Sequence, residues 1–329
     1  MKQDPVLNFL RENKDRFISG EEISKKLKVS RAAIWKEMQT LRHLGYEIEA
    51  QPHLGYRLLG IPDKLFSDEI AYKLKTEIIG KIIYSYEELD STNNSAFSLG
   101  EQGAKEGVCV LSEYQKKGRG RLGRSWASPK GKNILLSILI RPAISPGTAS
   151  KITLVAAVSI IKTCRKITGE TLGIKWPNDI VHQSDKVGGI LTEMSAEIDR
   201  VNFVVVGIGV NVNSEKKELP PGATSLKEMM GKEISRVEFT RELLRDFEQD
   251  YLRFKAGDFE NLAREWEDFS ATSGRRVMTR VSGRKIQGEA LGIDENGALW
   301  IRKDNGLQEK ITAGDIQHLG FASKKYEKR

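Results

Sequence analysis

The run KKGRGRLGRSW (residues 116–126), together with the apolar stretches around it, constrains this chain most. VCVLSEY (108–114) precedes it and NILLSILI (133–140) follows it, and both read as buried strands. Between them Gly118, Gly120 and Gly123 spell G-x-G-x-x-G, the spacing of a dinucleotide-binding turn. Such a turn requires a helix to open directly after the glycines. Here SWASPKG (125–131) leads into another strand, so the segment is a strand–loop–strand arm and not a Rossmann turn. No G-x-x-x-x-G-K-[ST] occurs, which removes a P-loop as well.

The charge on the arm points to a task. Lys116, Lys117, Arg119, Arg121 and Arg124 repel one another unless an anion sits among them. Glycines let the backbone bend over a ligand, and arginine forks clamp phosphate or carboxylate in a bidentate way. The arm is therefore expected to be a flap, mobile when empty and ordered by an anion. A merely solvated charged loop is the alternative, but random surface charge has no need of a glycine at every turn.

Around the arm the chain has three textures, divided as residues 1–62, 66–270 and 271–323. The first opens with amphipathic PVLNFL (5–10) and a second helix starting at SGEE (19–22). Ser30 then caps a third helix, RAAIWKEMQTLR (31–42), with Ile34, Met38 and Leu41 on one side. YEIEA and GYRLL alternate around the turn QPHLG, which is a hairpin. Helix, tight turn, helix and hairpin is the layout of a winged helix-turn-helix. A small helical dimerisation module is the other reading.

The middle segment alternates apolar strands with helices such as ASKITLVAAVSIIKTCRKI (149–167), implying a sheet covered by helices. The last segment has short strands separated by SGR, DENG and DNG turns, as in a small β barrel. The tail ASKKYEKR is expected to be disordered.

A net charge of +8 favours anionic partners, nucleotide or nucleic acid. Cys109 and Cys164 sit in apolar contexts and read as buried free thiols, which suits a reducing cytoplasm. Four scattered histidines offer no metal-binding spacing, so no metal site is expected. The N-terminus is interrupted by charge and is no signal peptide, and FVVVGIGV (203–210) is too short to cross a bilayer.

Further polar clusters could share a site with the arm. Ser91, Thr92 and Asn93 follow an apolar stretch and suit either a helix cap or a compact polar head group. Gln115 lies just before the arm. In KWPND (175–179), Asn178 and Asp179 suit a turn cap, or a nucleotide with its Mg²⁺. Lys186 opens KVGGIL (186–191), where Gly189 interrupts an apolar strand. Gly207 and Gly209 do the same before Asn211 in GIGVNVN (207–213). Close approach of a ligand is the expected reason for these glycines. No nucleophile–base pair is apparent, so the substrates react with each other while the protein positions them and offsets negative charge. Attack of a carboxylate on the α-phosphate of ATP fits that description.

Ser91-Thr92-Asn93, Gln115, GRGRLGRSW, KWPND, KVGGILTE and GIGVNVN, in this order, resemble the biotin–protein ligases. With the winged helix, the whole chain resembles the bifunctional ligase–repressor group, the BirA family. The resemblance implies an α+β architecture: a winged helix-turn-helix, a central mixed β-sheet packed with helices, and a C-terminal SH3-like barrel. It implies that Ser91, Thr92, Asn93, Gln115, Arg119, Gly120, Arg121, Lys186, Gly189, Gly207 and Gly209 hold biotin. Arg121, Arg124, Trp126, Asn178, Asp179, Lys186 and Asn211 would attend ATP with its Mg²⁺, and Lys186, Arg121 and Arg119 would be catalytic. Ser30, Arg31, Ala32, Trp35, Lys36 and Arg42 would meet operator DNA.

The implied reaction makes biotinyl-5′-AMP and pyrophosphate, then transfers biotin to a lysine of a biotin carboxyl carrier domain. The adenylate would also act as corepressor and favour a homodimer; no membrane is involved. Some family members carry an aromatic residue and an arginine where this chain reads KITAGDIQHL (310–319). A ligand-sensing repressor without ligase activity and a lipoate ligase are the alternatives.

Overall fold

A computed structural model of the chain describes residues 4–281 and 283–319. The tail and the expected boundary at 323 lie outside those residues. The chain separates into two compact units, residues 1–64 and 65–329.

In the first unit, α1 (Pro5–Glu12) starts at a proline and is capped by the Asp4 carboxylate, which accepts from the amides of Val6 and Leu7. Ser19 caps α2 (Gly20–Leu27) and Ser30 caps α3 (Arg31–His43), with the tight turn made by Lys28 at φ 57°. Ile34, Met38 and Leu41 are buried, as their spacing predicts. The strands β1 (Glu47–Gln51) and β2 (Gly55–Gly60) pair antiparallel as the hairpin. Ile18 and Tyr56 exchange two 2.8 Å backbone hydrogen bonds, tying the helices to that hairpin. A methyl group on Gly55 would lie 2.1 Å from the Ile18 carbonyl oxygen, and its φ is 109°, so glycine is required there.

The second unit opens with α4 (Ser67–Ala71), β3 (Ile83–Tyr86), α5 (Thr92–Glu101) and β4 (Cys109–Ser112). The arm then leads to β5 (Ile134–Ile140) and the core helix α6 (Ser150–Thr168). β6 (Gly173–Lys175), β7 (Asp179–His182), β8 (Asp185–Ala196) and β9 (Val201–Val210) follow, then α7 (Leu226–Met230), α8 (Arg236–Lys255) and α9 (Phe259–Asp268). The seven strands run in the order β3-β4-β5-β9-β8-β7-β6. Only β3 and β4 pair in parallel, because α5 supplies the crossover; the other neighbours are antiparallel, so the sheet is mixed.

Strand β5 is buried along its whole length, and helices cover both faces of the sheet. Helix α6, extended by the turn before it, is long and apolar enough to cross a membrane by composition alone, but it is packed in the core. Cys109 and Cys164 are buried free thiols; burial pushes the Cys109 thiol up to about 12 and raises that of Cys164 too.

Five antiparallel strands complete the unit: β10 (Arg276–Val281), β11 (Arg284–Ile293), β12 (Leu299–Lys303), β13 (Gln308–Ile311) and β14 (Ile316–His318). Their order, β13-β12-β11-β10-β14, is consistent with an SH3-like barrel. Val277, Ile286, Leu299 and Ile301 merge with the core under the large sheet. Trp176 fastens the two parts, its indole N–H donating to Gly297 O at 3.0 Å and its amide to Thr272 Oγ1 at 3.0 Å.

His318 packs at the same junction, with Nε2 3.3 Å from Thr272 Oγ1. Burial, reinforced by Lys175 and Arg275, pushes its imidazole down to about 4 from 6.5. The folded protein thus keeps His318 neutral between these values while the unfolded chain takes up the proton. Stability is full above pH 6.5 and falls as pH drops toward 4, by about 1–2 kcal/mol at pH 5. Thermal melts from pH 7.5 to 5 check this: Tm of the wild type should fall more steeply than that of His318→Gln. Parallel curves would remove His318 as the cause.

Candidate active site

The register of the large sheet builds the pocket floor. Ser137 on β5, Gly207 on β9 and Leu191 on β8 stand side by side across three strands. Two residues along β9, Leu135, Gly209 and Gly189 form the next row on the same face. Each row is missing side chains at its middle, and a side chain from elsewhere fills each dent. Asn93, in the first turn of α5, lies over Gly207, where a methyl group would come within 2.1 Å of its Oδ1. Trp126, at the end of the arm, lies over Gly209, where a methyl group would come within 2.6 Å of the indole. The expected reason for these glycines, close approach of a ligand, is therefore corrected in part. They line the pocket, but their lack of a Cβ first makes room for two of the protein's own side chains.

Above the floor, Gln115 Oε1 accepts from the amide and the hydroxyl of Thr92, at 2.7 and 2.9 Å. The start of α5 is thus capped by a residue 23 positions away; Ser91 occupies the N-cap position but makes no side-chain cap bond. Ser137 Oγ contacts Thr92 Oγ1 at 2.8 Å and Asn93 Oδ1 at 2.6 Å.

The arm closes over this floor. The Trp126 amide donates to Gly118 O at 2.9 Å, joining its two legs so closely that a methyl group on Gly118 would strike Trp126 O. Arg119 pairs with Glu193 at 2.6 Å, and Arg124 with Asp315 at 2.6 Å. Arg121 donates to Asn178 Oδ1 at 3.1 Å and to Gly314 O at 3.3 Å. Desolvation lowers the Arg121 guanidinium from its usual range, against the pull of Asp315 and Asp179, yet it stays charged at neutral pH. The sequence predicts a flap that is mobile when empty and ordered once an anion neutralises it. In this structure carboxylates of the chain itself take the anion's place and hold the arm down.

All eleven residues expected at biotin line this one pocket: Ser91, Thr92, Asn93, Gln115, Arg119, Gly120, Arg121, Lys186, Gly189, Gly207 and Gly209. Arg124, Trp126 and Asn178 line it too. Asp179 and Asn211 stand behind it. Asp179 accepts an ion pair from Lys186 Nζ at 2.6 Å, and buried Asn211 donates to Thr224 O at 3.1 Å. Lys186 Nζ also sits 5.4 Å from the Trp126 ring centroid. The Trp126 indole N–H is buried and makes no hydrogen bond with the described residues. Among the described residues no His, Cys, Asp or Glu cluster is placed to hold a metal.

Three residues of this site escaped the sequence: Ser137, Glu193 and Asp315. A lone serine within NILLSILI was the one local signal for Ser137. The two acids carry none, since their arginine partners are distant in sequence.

In the winged helix, Ser30, Arg31, Ala32, Trp35 and Lys36 form an exposed run on and before α3, with Trp35 59% exposed. Arg42 is placed differently. Its Nε and Nη2 donate to Ile48 O at 3.1 and 2.9 Å, clamping the end of α3 to the hairpin.

These features define a ligase-type fold with a substrate pocket on the face of a mixed sheet. Residues 86–211 match the biotin/lipoate A/B protein ligase family, residues 2–57 an HTH domain, and residues 272–319 the biotin protein ligase C-terminal domain. The bifunctional ligase/repressor BirA of Bacillus subtilis is 38% identical over 92% of this chain and 94% of its own length. That of Escherichia coli is 31% identical over 91% and 92%. The biotin protein ligase of Aquifex aeolicus in complex with biotin and ATP superposes with a TM-score of 0.62, at 30% identity, over 73% of this chain and 99% of that one. The chain belongs to the family of bifunctional BirA ligase/repressors.

Proposed function

We propose that this chain is an ATP-dependent biotin–protein ligase that also represses transcription. The biotin carboxylate attacks the α-phosphate of ATP, giving biotinyl-5′-AMP and releasing pyrophosphate. An acceptor lysine amine then attacks the mixed anhydride, forming an amide and releasing AMP. The convergence of Arg119, Arg121, Arg124 and Lys186 on a pocket with a neutral, amide- and hydroxyl-lined floor carries this reading. Four cations offset the repulsion between two anions, and the floor recognises an uncharged polar head group.

In this reading Ser91, Thr92, Asn93 and Gln115 bind biotin, while Arg121, Arg124, Lys186 and Asn178 bind the phosphates. Asp179 and Asn211 support the nucleotide side, and Mg²⁺ arrives with ATP. The closed arm keeps water from the anhydride until the acceptor, a carboxyl carrier domain, arrives. Segments 1–62, 66–270 and 271–323 serve DNA binding, catalysis and support of the arm. Ser30, Arg31, Ala32, Trp35 and Lys36 meet operator DNA, and the adenylate favours a DNA-binding homodimer in the cytoplasm.

Biotin-dependent exchange of labelled pyrophosphate into ATP tests the ligase half. Exchange with biotin is expected; exchange only with lipoate indicates a lipoate ligase, and none indicates a sensor without chemistry.

A further inference from the structure

Glu193, on β8, links the arm directly to Asn93 over the pocket floor. Its Oε2 accepts from Asn93 Nδ2 at 2.8 Å and from Arg119 Nη2 at 2.6 Å. The first donor belongs to the floor and is almost fully buried; the second belongs to the arm and is 42% exposed. Among the described residues, Glu193 is the one carboxylate that pairs with Arg119.

Counting protons gives the network a direction. Both N–H groups of Asn93 are engaged, by Glu193 Oε2 and by Leu191 O at 3.1 Å. Its Oδ1 must therefore receive the single Ser137 hydroxyl proton across the 2.6 Å contact. The Thr92 hydroxyl proton goes to Gln115 Oε1, so donation in this network runs from Ser137 through Asn93 to Glu193. With the Asn93 amide flipped, its oxygen would face the carboxylate and a carbonyl. The acid at 193 selects the amide orientation and thereby the donor–acceptor pattern of the floor, while it holds the arm through Arg119.

We propose that Glu193 is a positioning residue that couples closure of the arm to the hydrogen-bond polarity of the substrate floor. This rests on the biotin-ligase reading. A wild type exchanging only with lipoate would displace that reading and leave the role of Glu193 to be measured with lipoate.

The test is a double-mutant cycle in the full-length protein with Glu193→Gln and Arg119→Gln, read as the exchange KM for biotin, exchange kcat and the release rate of preformed biotinyl-AMP. Glu193→Gln is expected to raise both KM and release about tenfold, with kcat within about twofold, as for losing one charge-assisted hydrogen bond. The double variant should release adenylate no faster than the worse single variant, because the pair is already broken. A general structural defect would instead multiply the two effects and lower kcat. If Glu193→Gln does not fold, Glu193→Asp replaces it, keeping the charge but too short to span both partners, with smaller losses expected in the same two constants. Unchanged KM and release, or multiplicative effects, would overturn the proposal.

Discussion

Replacing Gly207 by alanine should lower kcat/KM for biotin in the exchange reaction by on the order of 10²-fold, while the fold survives. The added methyl group would sit 2.1 Å from Asn93 Oδ1 and 2.8 Å from its Cγ, so the amide must leave the dent. It cannot do so without breaking its contacts with Ser137, Leu191 O and Glu193. Displacing a positioning group by about 1 Å is enough for a loss of that size. The packing strain itself is about 1–3 kcal/mol, and Tm should therefore drop by only several degrees. Gly147→Ala is the matched control, since nothing lies within 4 Å of a methyl group there. A Gly207→Ala protein with the wild-type KM for biotin would show that Asn93 does not belong to the binding floor.

Arg121→Gly should release the adenylate roughly 10–100-fold faster and biotinylate bystander lysines. Arg121 is the residue through which the arm reaches both Asn178 of the central sheet and Gly314 of the C-terminal barrel. Hydrogen bonds from a charged donor each contribute about 1.5–3 kcal/mol, and 1.4 kcal/mol is tenfold in rate. Arg121→Lys keeps the charge but loses the planar fork, so its retention should fall between the two. The measurements are the half-life of isolated protein-bound biotinyl-AMP and streptavidin detection of an added non-substrate protein. An unchanged half-life would contradict the arm's role as a lid.

Much of this arrangement was legible locally. The caps at Ser19 and Ser30, the buried face of α3 and the strand–loop–strand form of the arm follow from side-chain periodicity and glycine placement. So do the polar clusters at 91–93 and 175–179, because turn and cap chemistry is written in neighbouring residues. Other features depended on partners far along the chain. Ser91 looks like the cap of α5, yet Gln115 does the capping. Arg42 looks like a free cation on a recognition helix, yet the Ile48 carbonyl holds it.

The amino-acid sequence by itself determined which segments become helices and strands, and which groups are chemically able to hold two anions together. Only the tertiary structure decided which groups meet. The β5–β9–β8 register sets Gly207 beneath Asn93 and Gly209 beneath Trp126. Docking of the barrel brings Asp315 to Arg124, and the sheet brings Glu193 to Arg119 across 74 residues of chain. Local periodicity records the face on which a side chain emerges; its partner across the sheet depends on register and docking, which no short stretch of residues contains.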